Sequence, residues 1–203
     1  MPSFKTPTQR QIETAIQRLR SPELAVYFFS RLENPNWVTA LKEKGIFATP
    51  PPPVPVESGG VRFPHWPASK YLARMAQHVP SEVAAIFAGM DTDNESIIGD
   101  ILESAMRMPA QVAATLVPVI SLAIGAGTLW LHFEVASDLC VRLAEGGELH
   151  ASMTLADALF EPKLEKGREM PNRRDDYWYQ AGLKKVVPVL TEREPREFLK
   201  NMC

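Results

Sequence analysis

The sequence predicts an all-α fold in which helices stack in pairs as a solenoid, interrupted by one ordered proline-rich insertion. Three observations carry that expectation. Apolar residues recur at helical spacing along the chain, and no run alternates with the period of two that a half-buried strand requires. An internal echo aligns VPSEVAAIF (79–87) with MPAQVAATL (108–116), so that Pro80 matches Pro109, Val83 matches Val112, and Ala84-Ala85 match Ala113-Ala114. The offset, 109 − 80 = 29 residues, leaves room for one helix, a turn and the next helix. Similarity of helix pairs at a fixed period marks an α-solenoid, in which each pair stacks on its neighbours. Finally, ATPPPPVPVESGG (48–60) is too rich in proline and glycine to continue any helix. A compact helical bundle is the alternative topology.

The elements follow in order. Thr8 is placed to cap QRQIETAIQRL, and Ser21-Pro22 to open ELAVYFFSRLE. NWVTALKEKG ends at Gly45. Beyond the insertion, PASKYLARMAQHV puts Ala68, Tyr71, Leu72, Met75 and Ala76 on one face, and PSEVAAIFAGM does the same with Val83, Ile86 and Phe87. DTDNE begins like a calcium loop but lacks the later glycine and distant glutamate; Asp93 or Asn94 as a helix cap explains it better. The helix after it carries Ile97, Ile98, Ile101 and Leu102. Residues 109–131 contain no charge, about the ~20 residues that span a bilayer. Pro118, the Gly125/Gly127 break and the lack of basic or aromatic flanks favour a helix buried on most sides over an anchor. LWLHFEVASDLCVRLAEGG, TLADALFEP and the closing segment DYWYQAGLKKVVPVL complete the helices, with a charged loop at 161–176. A second echo pairs LVPVI (116–120) with VVPVL (186–190), each with proline inside an apolar helix.

With these residues in place, the chain resembles the HEAT/armadillo-like repeat superfamily in its looser bacterial forms. The resemblance rests on the paired amphipathic helices over 21–147 and on the in-helix prolines Pro118 and Pro188. The block NPNWVTALKEKGIF…PPPPVP…FPHWPASKYLARMA (34–76) is similar to the start of an N-terminal helical-repeat region in large bacterial proteins. The resemblance implies a right-handed α-α superhelix of antiparallel helix pairs spanning 1–203 as one domain.

The insertion, 46–66, has two readings. Its prolines impose polyproline II, and 50–55 then span ~19 Å at about 3.1 Å per residue. Such a segment suits the aromatic groove of a proline-binding module. However, Ile46, Phe47, Val54, Val56, Val61, Phe63 and Trp66 are too apolar for a solvated linker, which favours a strap packed on the helices.

Composition excludes several functions. The 203 residues carry a formal charge of −2, which gives no general pull toward nucleic acid or anionic membrane. Cys140 and Cys203 cannot form a disulfide framework and read as free thiols in a reducing, cytoplasmic setting. MPSFKTPTQRQIETAIQRL is no signal peptide. His65, His78, His132 and His150 are scattered, without metal-ligand spacing or a nucleophile–base–orienter set, so neither a cofactor nor catalysis is expected. GREMPNRRDD groups Arg168, Arg173 and Arg174, but Asp175 and Asp176 neutralise them locally, and YWY after it reads as part of a packed helix.

The functional expectation is a non-catalytic scaffold or sensor that binds a protein partner or a downstream domain of the same polypeptide. His65, Arg168, Arg173 and Arg174 are candidates for its interaction surface. EREPREFLKNMC closes in an amphipathic helix without a polar capping repeat, so the chain is expected either to be the N-terminal part of something longer or to have this end covered by a partner. Two alternatives stay open. A nucleic-acid-binding solenoid needs Lys70, Arg74, Arg107, Lys184 and Lys185 on one face. A helical enzyme needs a pocket joining His65, His132 or the arginine loop.

Overall fold

The computed structural model describes residues 4–57, 59–126, 132–160 and 177–193. The loop bearing Arg168, Arg173 and Arg174 lies outside the described residues, as do Trp130 and Cys203. The described chain is predominantly helical and divides into two compact units, Met1–Met108 and Pro109–Cys203.

In the first unit, caps and prolines set where helices begin. Helix α1 (Gln9–Arg18) opens with a capping box: the Thr8 hydroxyl accepts the Gln11 N–H and the Gln11 side chain accepts the Thr8 N–H. Helix α2 (Pro22–Arg31) starts with Ser21 as cap and Pro22 in the first turn. After α3 (Trp37–Glu43), α4 (Pro67–Met75) and α5 (Pro80–Ala88) again begin on proline. A helix leaves its first four N–H groups unpaired, so a residue lacking one fits there at little cost. Helix α6 (Glu95–Arg107) starts on Asn94.

Packing follows from the apolar spacing. Helix α4 buries Ala68, Ser69, Tyr71, Leu72, Ala73 and Met75, nearly its whole circumference, because α2, α5 and α6 all lie against it. From α6 come Ile97, Ile98, Ile101 and Leu102, none accessible to solvent, each stabilising the fold by about 1.5–3 kcal/mol. Helix α3 packs on α5, and α5 on α6. Phe29 of α2 meets Tyr71 of α4 at 5.7 Å between ring centroids, while Arg74 of α4 donates to the Phe29 and Leu32 carbonyls at the C-terminal end of α2.

Between α3 and α4 the chain forms a short antiparallel ladder that the sequence pattern did not announce: β1 (Val54–Pro55) pairs with β2 (Val61–Arg62), Val54 opposite Arg62 and Pro55 opposite Val61. Two residues are too few to display alternation. Gly59 and Gly60, at φ of 81° and 113°, supply the left-handed backbone that turns the hairpin. Of the seven apolar residues expected against the helices, only Phe47 is fully buried, and Val56 and Val61 are 37% and 54% exposed because they flank this protruding turn.

In the second unit, the uncharged run at 109–131 is not one buried helix. It is broken into α7 (Ala110–Ala113), a 3-10 turn (Ala114–Leu116) and α8 (Val117–Gly125). Pro118 therefore sits in the first turn of α8 rather than inside a helix. Its ring would clash with the carbonyl four residues back, so the chain tightens and restarts. Leu122 is 74% exposed, so α8 is covered on one side only. Among the described residues, no helix is long and apolar enough to cross a membrane.

Helix α9 (Phe133–Glu145) is the centre of this unit, with α7, α10 (Leu149–Phe160) and α11 (Tyr177–Arg193) packed on it and α8 packed on α10. Cys140 is a buried free thiol on α9, and the Ser152 hydroxyl of α10 donates to its carbonyl at 2.7 Å. Pro188 does lie inside α11, unlike its counterpart Pro118. Only the third residue of YWY packs as expected: Tyr179 joins Phe133 and Phe160 in a ring cluster, whereas Tyr177 and Trp178 are 73% and 50% exposed.

Candidate interaction surface

Helix α2 is the most apolar surface element of the first unit. Phe29 faces α4 and is buried. At 100° per residue, Tyr27 points nearly opposite to Phe29, with Leu24 and Val26 on either side of it. These three are 46% (Leu24), 54% (Val26) and 64% (Tyr27) exposed. On the same face, Glu23 one turn before Tyr27 and Ser30 and Arg31 one turn after it close the strip with polar groups at its two ends, and the Ser21 hydroxyl donates to Glu23 at 2.6 Å. That hydrogen bond holds the Glu23 carboxyl below its ordinary range. An apolar centre with a polar margin is the anatomy of a protein-binding patch.

A second feature joins α4 and α6. Asp100 falls on the wheel of α6 about 60° from Ile97, on the side away from Ile101, and is 1% exposed. Ser69 Oγ lies 2.5 Å from Asp100 Oδ2 and 2.9 Å from the Trp66 carbonyl. The Lys70 ammonium approaches Oδ1 to 2.6 Å, an ion pair by distance although its angle is poor for a hydrogen bond. Lys70 also reaches Glu103 at 3.4 Å, and Glu103 pairs with Arg107 at 2.6 Å. Short-range contact with the Asp100 carboxylate lifts the Lys70 pKa above its ordinary 10.5; partial burial opposes this, and the charges of Asp100 and Glu103 add to it. Lys70 thus stays protonated and cannot act as a base toward Ser69, which is itself sealed from solvent. The group is a structural tie between two helices. The sequence carried little signal for it, since Asp100 lies outside the apolar stripe of α6 and is buried by α4 packing over it.

The third feature is a clasp on the proline-rich segment. Proline lacks an N–H, so a run of prolines presents carbonyls but few donors of its own. Asn94, which is wholly buried, provides the missing donors: its Nδ2 donates to the Pro51 and Pro64 carbonyls, each at 2.9 Å. Its Oδ1 accepts the Ser96 N–H at 3.0 Å and caps α6. His65, exposed beside the clasp, lies with Nδ1 2.7 Å from Ser96 Oγ. Among the described residues this is the one hydrogen bond of the His65 ring, so no third group orients the imidazole as a nucleophile–base pair requires.

His132 precedes α9 in the second unit, and Arg168, Arg173 and Arg174 fall outside the described residues. No three His, Cys, Asp or Glu side chains gather to hold a metal ion among the described residues. Lys70 and Arg107 are paired with carboxylates, Arg74 with α2 carbonyls, and Lys185 with Asp138.

Burial also sets the alkaline behaviour. Tyr71 and Cys140 are both held above their ordinary values of 10.0 and 9.0, chiefly because burial disfavours the charged form. For these groups and Lys70, the unfolded chain loses its proton first as pH rises. Each stabilising contribution is therefore complete below the unfolded pKa and is lost above it. Stability of the second unit is expected to fall from pH about 9 and that of the first from about 10. Cys140→Ala is expected to flatten the loss in the second unit between those two values, read by urea denaturation at stepped pH. Parallel profiles for the variant and the wild type would contradict this account.

Comparison with known proteins finds no match: no family model, no curated protein and no solved structure is significantly similar to this chain.

Proposed function

We propose that this protein is a non-catalytic helical-repeat module that binds another protein through the outward face of α2. The order of packing supports a stacked arrangement. Within the first unit α2 lies on α4, α3 on α5 and α4 on α6; within the second, α7 lies on α9, α8 on α10 and α9 on α11. Contact with the next-but-one helix is how successive helix pairs pile up in HEAT/armadillo-like repeats, and such stacks offer extended binding surfaces.

The observation that carries the function is the apolar strip on α2. This helix heads the α2–α4–α6 row, and the side turned away from α4 bears Leu24, Val26 and Tyr27 in solvent. The outer face of a terminal repeat is ordinarily polar, so an apolar one is a surface for a partner to cover. That partner is either a separate protein or another domain of the same polypeptide, in a reducing cytoplasmic setting that suits the buried free thiol Cys140. The ties that hold Lys70, Arg74, Arg107 and Lys185 favour this reading over a nucleic-acid solenoid, since phosphate contacts need free cations.

The test is quantitative co-purification from the native cell with the tagged wild type and with a Leu24→Asp/Tyr27→Asp variant. Exposed positions tolerate such changes within about 0.5 kcal/mol, so the variant is expected to melt as the wild type does. A defined set of proteins is expected to fall by about tenfold or more in the variant. Identical recoveries would overturn the proposal.

A further inference from the structure

The segment between α3 and β1 shows an exposure pattern with a period of three. Thr49, Pro52 and Pro55 are exposed, whereas Pro50, Pro51, Pro53 and Val54 between them are half-buried. Three residues per turn is the repeat of polyproline II. The covalent chemistry agrees: proline fixes φ near −65°, and each of residues 49–52 and 54 precedes a proline, which pushes it out of the α region. Two sides of this extended segment rest on the first unit, and the third forms a ridge in solvent that carries Pro52 and, where the segment enters β1, Pro55. Asn94 grips the Pro51 carbonyl on the inner side, and the β1–β2 ladder fixes the far end of the ridge.

We infer that the ridge formed by Pro52 and Pro55 is a docking ligand for the aromatic-lined groove of a proline-binding module on another protein. Such grooves have slots between aromatic rings that receive prolines from successive turns of polyproline II, and Pro52 and Pro55 occupy that spacing. Being clasped beforehand, the ridge has already met the cost of ordering that a free proline-rich peptide pays on binding. Packing of 46–66 on the helices and docking by 52–55 are therefore compatible, since the inner and outer sides of one extended segment serve the two roles. The ridge is a different surface from the α2 strip.

The experiment titrates the purified 203-residue chain into purified SH3, WW and EVH1 domains and follows a fluorophore attached beside the groove, since the chain has 4 tryptophans of its own. Saturable binding by at least one class is expected. Pro52→Ala and Pro55→Ala should each weaken it by about tenfold, whereas Thr39→Ala, an exposed residue of α3 away from the ladder, should change it less than about twofold. Asn94→Ser should weaken binding although it leaves the ridge residues intact, and a free peptide of residues 48–57 should bind more weakly than the whole chain. Leu24→Asp/Tyr27→Asp should have no effect, which keeps this result separate from the fate of the α2 proposal. Absence of binding by all three classes, or an equal loss from Thr39→Ala and Pro52→Ala, would overturn the inference.

Discussion

Replacing Asn94 with alanine is expected to destabilise the first unit by about 3 kcal/mol, since one side chain makes three separate contributions. Loss of the α6 cap costs about 1 kcal/mol. Loss of the two bonds to the Pro51 and Pro64 carbonyls costs about 1 kcal/mol each. Around Pro51 the prolines at 50–53 have no backbone N–H to offer in its place. Asn94→Ser separates the contributions. Serine caps about as well as asparagine but is too short to reach both carbonyls, so it should recover about 1 kcal/mol of the loss. Chemical denaturation gives the total, and limited proteolysis between α3 and α4 reports release of the segment, which should be faster in both variants. An alanine variant within about 0.5 kcal/mol of wild type would show that the clasp does not hold the segment.

The second large effect is expected at Gly182 of α11. A Cβ at this position would lie 2.8 Å from Phe133 Cε1, 2.8 Å from Ser137 Oγ and 3.2 Å from Phe160 Cζ. These neighbours have little room to yield. Phe133 and Phe160 are locked edge to face at 5.7 Å, Tyr179 packs on both, and Ser137 is tied to the Phe133 carbonyl at 2.9 Å. Alanine gains up to about 1 kcal/mol of helix propensity against about 1–3 kcal/mol of overpacking, so Gly182→Ala should be mildly destabilising. Gly182→Val adds bulk and loses most of the propensity gain, and should cost about 3 kcal/mol. Hydrogen exchange across α11 should then quicken by about 100-fold. Unchanged protection in the valine variant would mean that α11 does not sit as closely on α9 as described.

The helix starts were legible because their signals are local. Thr8 and Ser21 cap the helices they were expected to cap, Asn94 rather than Asp93 caps α6, and Pro22, Pro67 and Pro80 fall in first turns, as a residue without an N–H prefers. Features that depend on distant partners were not. Asn94 reads as a cap from its neighbours, but its bonds to Pro51 and Pro64 span 43 and 30 positions and leave no local trace. The same letters also met different fates: the proline of LVPVI starts a helix and that of VVPVL lies inside one. Five residues do not encode whether a preceding turn can tighten. Absence of charge in 109–131 was a poor guide to burial, since Leu122 is left in solvent by the break at Pro118. Of the candidate surface residues, His65 lies beside the clasp, while the α2 strip is not legible in the sequence, because ELAVYFFSRLE is apolar round most of the helix and does not show which of its residues face solvent.

The most direct test of the binding claim is photo-crosslinking in the native cell, with a photoreactive phenylalanine analogue at Tyr27 and, as a control, at Glu43 on α3. The account predicts one or a few discrete protein adducts from position 27, or a single internal crosslink to another domain of a longer polypeptide, and none of these species from position 43. Indiscriminate labelling, or the same adducts from both positions, would contradict it.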